Sequence, residues 1–147
     1  MTCGYTSRMR LIAIDYGLKR TGIALGDTES RLALPFEVFE GLPNPQLAQA
    51  IGQLVRKEAI DAVVIGLPLH ADGSVSNQSK LTERFILALS QVLGPQIPLH
   101  RTSEYLTTHD AEGKLAGHFT RDQKRARVDA LAAARILQDW LDGQKTP

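Results

Sequence analysis

Apolar runs and turn residues alternate along the chain in a pattern that predicts five strands. The runs MRLIAID, TGIALGD and RLALPFEVFE predict three successive strands. The connection between the first two is too short for a helix, so these strands should be antiparallel neighbours. Pro35, near the middle of the third run, predicts an edge strand or a bulge. DAVVIG predicts a central parallel strand, and IPLHRT predicts the last strand.

Helical spacing of apolar residues predicts helices between and after the later strands. A first helix is predicted over residues 46–58, with a face made of Leu47, Ile51, Leu54 and Val55. A second should begin after Ser76 and end at Gly94, with an apolar face made of Leu81, Phe85, Ile86, Ala88, Leu89 and Val92.

Two further helices are predicted in the last third of the chain. TTHDAEGKLAG should begin at Thr107 or Thr108 and end at Gly117. KRARVDALAAARILQDWLDG is the clearest helical segment, and Gly143 should end it. Its predicted apolar stripe comprises Val128, Leu131, Ala132, Ile136, Trp140 and Leu141.

The resulting order, β-β-β-α-β-α-β-α-α, is that of the ribonuclease H-like fold, an α/β fold with a mixed five-stranded sheet and helices on both faces. Other α/β sheets share parts of this order, so the order alone does not fix the fold. We expect residues 1–8 to form a loose extension, 9–143 a single domain and 144–147 a tail. Met9 is an alternative start of the protein.

Composition excludes several classes of protein. A chain of 147 residues with 43% hydrophobic content can bury one core. No apolar run approaches the roughly 20 residues needed to cross a bilayer, and the N-terminus lacks the apolar stretch of a signal peptide. The single cysteine, Cys3, excludes an internal disulfide and a cysteine metal site, which suits the cytoplasm.

Three acids stand at positions that suggest chemistry. Asp15 closes the first strand, Glu104 closes the last, and Asp129 lies in the first turns of the final helix. In such a sheet the first and last strands can be neighbours, with the final helix packed over their ends. The carboxylates would then converge and could bind hard cations such as Mg²⁺. Two such ions roughly 4 Å apart can activate water and stabilise the leaving oxygen of a phosphodiester.

Each acid also has a simpler interpretation. Asp15 before a glycine is typical of turns, because its carboxylate can bond to nearby backbone N–H groups. Glu104 could be a polar loop residue, and Asp129 could complement the dipole of its helix. Lys19 and Arg20 could likewise form only a solvated hairpin tip.

Local positive charge indicates a nucleic-acid partner, although the net charge is only +1. Lys19 and Arg20 should lie near the same sheet end as the acids. A cluster of cations also precedes Asp129: Lys114, Arg121, Lys124, Arg125 and Arg127. Such a rim can hold a phosphate backbone, although a charged connector between helices would have the same composition. Aromatic residues are only 5% of the chain, which favours recognition of shape and backbone over base stacking.

The loop LPLHADGSVSNQ lies where α/β folds usually bind ligands, at the carboxyl end of a parallel strand. His70 could contact substrate or transfer a proton, but a single loop histidine is more often solvated. Ser76 is most simply the cap of the second helix. We assign neither residue to catalysis.

Four blocks of sequence together resemble the YqgF (RuvX) family, whose members are described as Holliday-junction-resolvase-like and as pre-16S rRNA nucleases. DYGLKRTGIALGD is similar to the family's opening motif, and VVIGLPLHADGSVSNQSKLTERF to its second block. SEYLTTHDAEGKL and VDALAAARILQDWL resemble the third and fourth. The resemblance runs from Met9 to Leu141 and implies a ribonuclease H-like fold, Mg²⁺ or Mn²⁺ as cofactor, and a structured nucleic acid as substrate. It also implies that Asp15, Glu104 and Asp129 are the catalytic and metal-binding acids.

The third block departs from the family pattern. The family usually has Asp-Glu-Arg before Leu-Thr-Thr, where this chain has Ser103, Glu104 and Tyr105. Loss of an acid should weaken metal binding, and a phenol does not replace the planar fork of an arginine. The interpretation that remains first is a metal-dependent endonuclease, with ribosomal precursor RNA favoured over a DNA junction by family association alone.

Two other functions follow from the same residues. One is a nucleic-acid-binding module that has lost strong activity, which the changes at Ser103 and Tyr105 would suggest. The other is a relative of the actin and sugar-kinase ATPases, which also cradle phosphate in a strand–Asp–x–Gly hairpin. Those ATPases need two such domains, and 147 residues are too few. The oligomeric state, monomer or homodimer, is left open.

Overall fold

The structure, a computed structural model, describes residues 8–70, 72–105 and 121–143, and describes 104–105 and 121–129 by backbone alone. The strands are β1 (Arg10–Asp15), β2 (Arg20–Asp27), β3 (Ala33–Glu40), β4 (Ala62–Leu69) and β5 (Leu99–Tyr105). The helices in these ranges are α1 (Asn44–Lys57), α2 (Asn77–Leu93) and α3 (Arg121–Gly143). The helix predicted over residues 107–117 lies outside the described residues.

The five strands form one mixed sheet in the order β3-β2-β1-β4-β5. β2 pairs antiparallel with both β1 and β3, while β4 pairs parallel with both β1 and β5. The predicted mixed sheet is confirmed, but the expectation that the first and last strands can be neighbours is wrong. β4 lies between them because its first five residues are buried, which suits the centre of the sheet rather than its edge.

Alternation along β1 builds a core on each face of the sheet. Ile12 and Ile14 are fully buried on the side covered by α1 and α2, whereas Leu11 and Ala13 are fully buried beneath α3. Helices therefore cover both faces, as the sequence predicts. In the described part of the chain no helix is long and apolar enough to cross a membrane.

β3 is an edge strand with an irregularity at its proline. Pro35 pairs with Ala24, but the next pair joins Glu37 to Ile23, so one residue of β3 is left over. The prediction from Pro35 is thereby confirmed.

The helix predictions hold for α1 and α2 and are partly wrong for α3. The predicted face of α1 is buried, and α2 ends before Gly94, whose φ is +79°. In α3, Leu131 and Ala132 are only half-buried, whereas Ala133 and Leu137 are fully buried. The buried face of α3 combines alanines with Ile136, Leu137 and Leu141, so it overlaps the predicted stripe only in part.

Candidate active site

Asp15 is the last residue of β1, a strand with neighbours on both sides. It is half-buried and lies directly opposite Gly22 of β2. It continues the alternation of Leu11 and Ala13, so its position belongs to the face that α3 covers. A carboxylate thus stands where the buried part of β1 meets the carboxyl end of the sheet.

The turn after Asp15 is closed by Thr21. This residue is 1% exposed, and its hydroxyl donates to the Gly17 carbonyl over 3.3 Å and accepts from the Gly17 N–H over 3.4 Å. A Cβ at Gly17 would lie 2.4 Å from the carbonyl oxygen of Arg20, closer than real contacts allow. Glycine is therefore required for the chain to turn this tightly beside Asp15.

Tyr16 anchors the other side of the turn to the helical layer. Its ring stacks on Phe85 of α2, with 4.7 Å between centroids and 12° between planes. Its hydroxyl donates to Oδ1 of Asn44, at the start of α1, over 2.7 Å. Sequence reasoning treated Tyr16 only as the end of a strand. The available signal was a large aromatic residue between a candidate catalytic acid and a turn glycine.

Lys19 and Arg20 differ in their surroundings. The Lys19 side chain is exposed, and its carbonyl accepts from the Gly41 N–H over 3.1 Å. The Arg20 Nε lies 2.8 Å from Oε1 of Glu40, the residue opposite it on β3. The structure therefore keeps both cations at the sheet end of Asp15, but Glu40 offsets part of the charge of Arg20.

Glu104 lies at the same end of the sheet as Asp15, on the far side of β4. Its Cα is paired with Pro68, and the ladder also pairs Ile14 with Ile65. Glu104 is therefore two residues further along and two strands away, about 12 Å from Asp15 between Cα atoms for ordinary strand spacings. The structure describes Glu104 by its backbone alone.

The length of α3 is compatible with Asp129 reaching the level of Asp15. Leu137 of α3 sits over Gly26, which pairs with Leu11 near the start of β1. From Leu11 to Asp15 the strand rises about 13 Å, and from Leu137 back to Asp129 the helix spans about 12 Å. Gln138 and Trp140 contact Ala33 and His100, near the starts of β3 and β5, so the later half of α3 lies at the end of the sheet where β1 begins.

The backbones of Asp15 and Glu104 thus lie at one end of the sheet, and the length of α3 would allow Asp129 to reach it. Among the side chains that the structure describes, no three His, Cys, Asp or Glu residues lie together as metal ligands, and those of Glu104 and Asp129 are outside that set. Lys124, Arg125 and Arg127 lie in the first turns of α3 with undescribed side chains, and Lys114 is outside the described residues. The metal site and basic rim stay predictions.

Hydrogen bonds join several of the described residues in the loop after β4. Ser76 is buried, accepts from the Ser79 N–H and donates to the Pro68 carbonyl, which confirms its role as the cap of α2. Ser74 donates two hydrogen bonds to Asp72 and so holds the pKa of that carboxyl below its ordinary value. The bond from the hydroxyl has the larger effect, and the bond from the backbone N–H has the smaller one. His70 is exposed, as expected of a solvated loop histidine.

A groove of about 290 Å³ lies beside this loop, on the face opposite Asp15. Its lining comprises Leu67, Leu69, Val75, Ser79, Lys80 and Glu83. Glu83 is already engaged by Arg101 of β5, at 2.9 Å. The groove therefore shares the sheet end with Asp15 but does not open onto it.

Two solved structures that match this chain contain a Holliday junction. Thermus thermophilus RuvC in complex with a Holliday junction substrate matches with a TM-score of 0.56 and 14% identity, over 91% of this chain and 94% of that one. The fowlpox virus resolvase with Holliday junction DNA matches with a TM-score of 0.57 and 8% identity, over 90% and 99%. At such identities the likeness establishes the fold, which is ribonuclease H-like as predicted.

Curated relatives are closer in sequence. The "Putative pre-16S rRNA nuclease" of Roseiflexus sp. (strain RS-1) is 36% identical over 137 residues, 92% of this chain and 96% of that protein. The protein of the same name from Azotobacter vinelandii is 38% identical over 135 residues, 89% and 92% of the two chains. The sequence profile described as "RuvX: Holliday junction resolvase" matches residues 9–143. The chain therefore belongs to the RuvX family.

Proposed function

We propose that this protein is a metal-dependent endonuclease that hydrolyses phosphodiester bonds in structured nucleic acid. The observation that carries the proposal is the position of Asp15, at the carboxyl end of β1 and on the face covered by α3. The strand register and the path of α3 support convergence of Glu104 and Asp129 on that end. An aspartate that only stabilised a turn would need neither its place beneath α3 nor two further acids at the same end of the sheet.

The donor set suits Mg²⁺ or Mn²⁺, because carboxylate oxygens are the ligands that these ions prefer. Asp15, Glu104 and Asp129 would hold the ion, which would supply an activated water and stabilise charge on the leaving oxygen. The chain itself contributes placement: the Gly17–Thr21 turn and the Tyr16 anchor fix the end of β1 beside the reacting bond. Ser103, where the family usually has an acid, makes the site less negative.

Cations at the same sheet end would hold the phosphate backbone on either side of that bond. Lys19 and Arg20 supply one group, and Lys124, Arg125 and Arg127 in the first turns of α3 supply the other. Phosphate contacts of this kind position a substrate without reading its sequence. The structure of the substrate, rather than its bases, would then select the cleavage site.

For the substrate we propose the precursor of 16S rRNA, processed at its 5′ end during ribosome assembly in the cytoplasm. The names of the curated relatives support this choice. The second candidate is a Holliday junction, supported by the family description and by the DNA bound to the structural neighbours. A junction resolvase would need a two-fold dimer to cut symmetrically, whereas an RNA-processing enzyme could act as a monomer.

The test is cleavage of two labelled substrates with Mg²⁺ or Mn²⁺. One is an RNA that copies the 5′ flank of 16S rRNA, and the other is a four-way DNA junction. Wild type is compared with Asp15→Asn, and Asp61→Asn, at the opposite end of β1, controls for loss of a carboxylate elsewhere.

RNA cleavage that disappears only in Asp15→Asn would support the rRNA-processing nuclease. Paired cuts in the junction would instead favour the resolvase. Binding of both substrates without cleavage would contradict the nuclease proposal and favour a binding module.

A further inference from the structure

The side chain of Gln138, on α3, clamps that helix to the start of β3. Its Oε1 accepts from the Ala33 N–H over 3.0 Å, and its Nε2 donates to the Arg31 carbonyl over 2.9 Å. Nε2 also donates to Oδ1 of Asp142 on the next turn, over 3.0 Å. One amide therefore joins the helix to two backbone groups more than 100 positions earlier in the chain.

The packing of α3 differs along its length. Around Gln138, the large side chains Ile136, Leu137 and Leu141 are buried, whereas the part nearer Asp129 is buried through Ala130, Ala133 and Ala134. Small side chains form shallow ridges, so the alanine segment resists sliding less than interlocked large side chains do. The axial position of α3 therefore depends on the segment around Gln138, where the directional hydrogen bonds to Ala33 and Arg31 hold at only one axial position.

The position of Asp129 depends on that axial setting. Asp129 lies nine residues before Gln138, about 13 Å along the helix. A slip of one residue would move it by about 1.5 Å relative to Asp15. Functional groups need to be held within about 0.5 Å of their working geometry, so such a slip would disrupt a shared metal site.

We propose that Gln138 is a positioning residue that sets the axial register of α3 and thereby aligns Asp129 with Asp15. This inference rests on the proposed function, because it assumes that both acids bind the same metal. Gln138 itself touches neither metal nor substrate.

The experiment compares Gln138→Met with wild type. Methionine keeps the length and flexibility of the side chain and removes all three hydrogen bonds. Asp142→Ala is the matched control, since it removes the bond within the helix and leaves both bonds to β3. Hydrogen exchange of the Ala33 amide, followed by NMR, reports whether the clamp has opened.

The decisive readout is the midpoint of Mn²⁺ binding to the folded protein, measured at constant temperature by isothermal titration calorimetry. We expect this midpoint to increase about tenfold in Gln138→Met, the loss typical when a group that orients metal ligands is removed. Asp142→Ala should keep the wild-type midpoint. Gln138→Glu keeps an acceptor for the Ala33 N–H but loses the donor to the Arg31 carbonyl, so its midpoint should fall between those of the other two variants. It replaces Gln138→Met in the experiment if the methionine variant does not fold.

A purely structural role gives a different result. Gln138→Met would then lower the melting temperature in metal-free buffer and leave the Mn²⁺ midpoint unchanged, which would overturn the inference. Asp129→Asn in the same assay distinguishes failure of the Gln138 proposal from failure of the proposed metal site. If Asp129→Asn shifts the midpoint and Gln138→Met does not, only the clamp is refuted. If neither variant shifts it, the proposed metal site fails as well.

Discussion

Tyr16 and Phe85 lie stacked, with 4.7 Å between their ring centroids, and so tie the residue after Asp15 to the middle of α2. Both are buried, and Tyr16 also donates a hydrogen bond to Asn44. The end of β1 is therefore held by packing from α2 and by a polar contact from α1. The candidate acid stands on a rigid part of the fold rather than on a loose loop.

Loss of the Tyr16 hydroxyl and loss of the Phe85 ring should both destabilise the protein, but by different amounts. We expect Tyr16→Phe to lower the free energy of unfolding by about 1 kcal/mol, because one buried hydrogen bond is lost. Phe85→Ala should cost about 3–5 kcal/mol, because it leaves a cavity in the core. Denaturant unfolding measures both. Leu87→Ala, at a position of α2 that is 65% exposed, is the control and should have little effect.

Gly17→Ala should disturb the turn beside Asp15. The added Cβ would meet the Arg20 carbonyl oxygen at 2.4 Å, so the backbone must shift. We expect a loss of about 1–3 kcal/mol in the free energy of unfolding, as for other forced overlaps, together with reduced cleavage. Gly143→Ala, where a Cβ would meet nothing within 4 Å, is the control. Equal stability of the two variants would contradict the close contact at Gly17.

Glu40→Gln should tighten nucleic-acid binding, although it removes an ion pair. The pair is on the surface, so its loss should change the free energy of unfolding by less than about 1 kcal/mol. It leaves Arg20 with its full charge available to phosphate, whereas Arg20→Gln should weaken binding. Titration of a labelled RNA at several salt concentrations measures both effects. Glu37→Gln removes the same charge from a position of β3 away from Arg20. If it tightens binding as much as Glu40→Gln does, the effect comes from net charge and not from release of Arg20.

Asp15→Asn should leave stability unchanged or raise it in metal-free buffer. The reason is that carboxylates gathered at one end of the sheet repel one another when no cation is bound. Thermal unfolding in the presence of a chelator is the measurement. Asp61→Ala provides the contrast, because Oδ2 of Asp61 accepts the Arg10 N–H over 2.8 Å and alanine removes that acceptor, which should be destabilising. A clear fall in melting temperature for Asp15→Asn would identify Asp15 as a structural turn residue.

Most of the fold could be predicted because local signals and burial agree. The apolar runs of β1, β2 and β4, the proline of β3 and the Ser76 cap of α2 each act through near neighbours in sequence. Strand order is different, because it depends on which strand fills the centre of the sheet. β4 fills that place, as the apolar run DAVVIG predicted, but the order of elements did not show that it would separate the first strand from the last.

The candidate site could be predicted only in part, because several of its contacts join distant segments. Asp15 and the two cations after it were visible as a motif. The partner of Arg20 is Glu40, and the partner of Tyr16 is Asn44, and neither pairing leaves a pattern in the sequence. The buried face of α3 was predicted only in part, because apolar residues occur around much of this helix and their spacing does not show which of them meet the sheet. Ile136 and Leu141 were predicted correctly, whereas Leu137 was missed.

The outer edge of β3 has a consequence for how two copies of this protein could meet. A neighbouring strand would need backbone N–H groups along that edge, but Pro35 has none and the Ala33 N–H already bonds to Gln138. A second copy therefore cannot extend the sheet through this stretch of β3. A homodimer that cuts both strands of a junction would have to associate through another surface of the protein, and β5 is the other edge of the sheet.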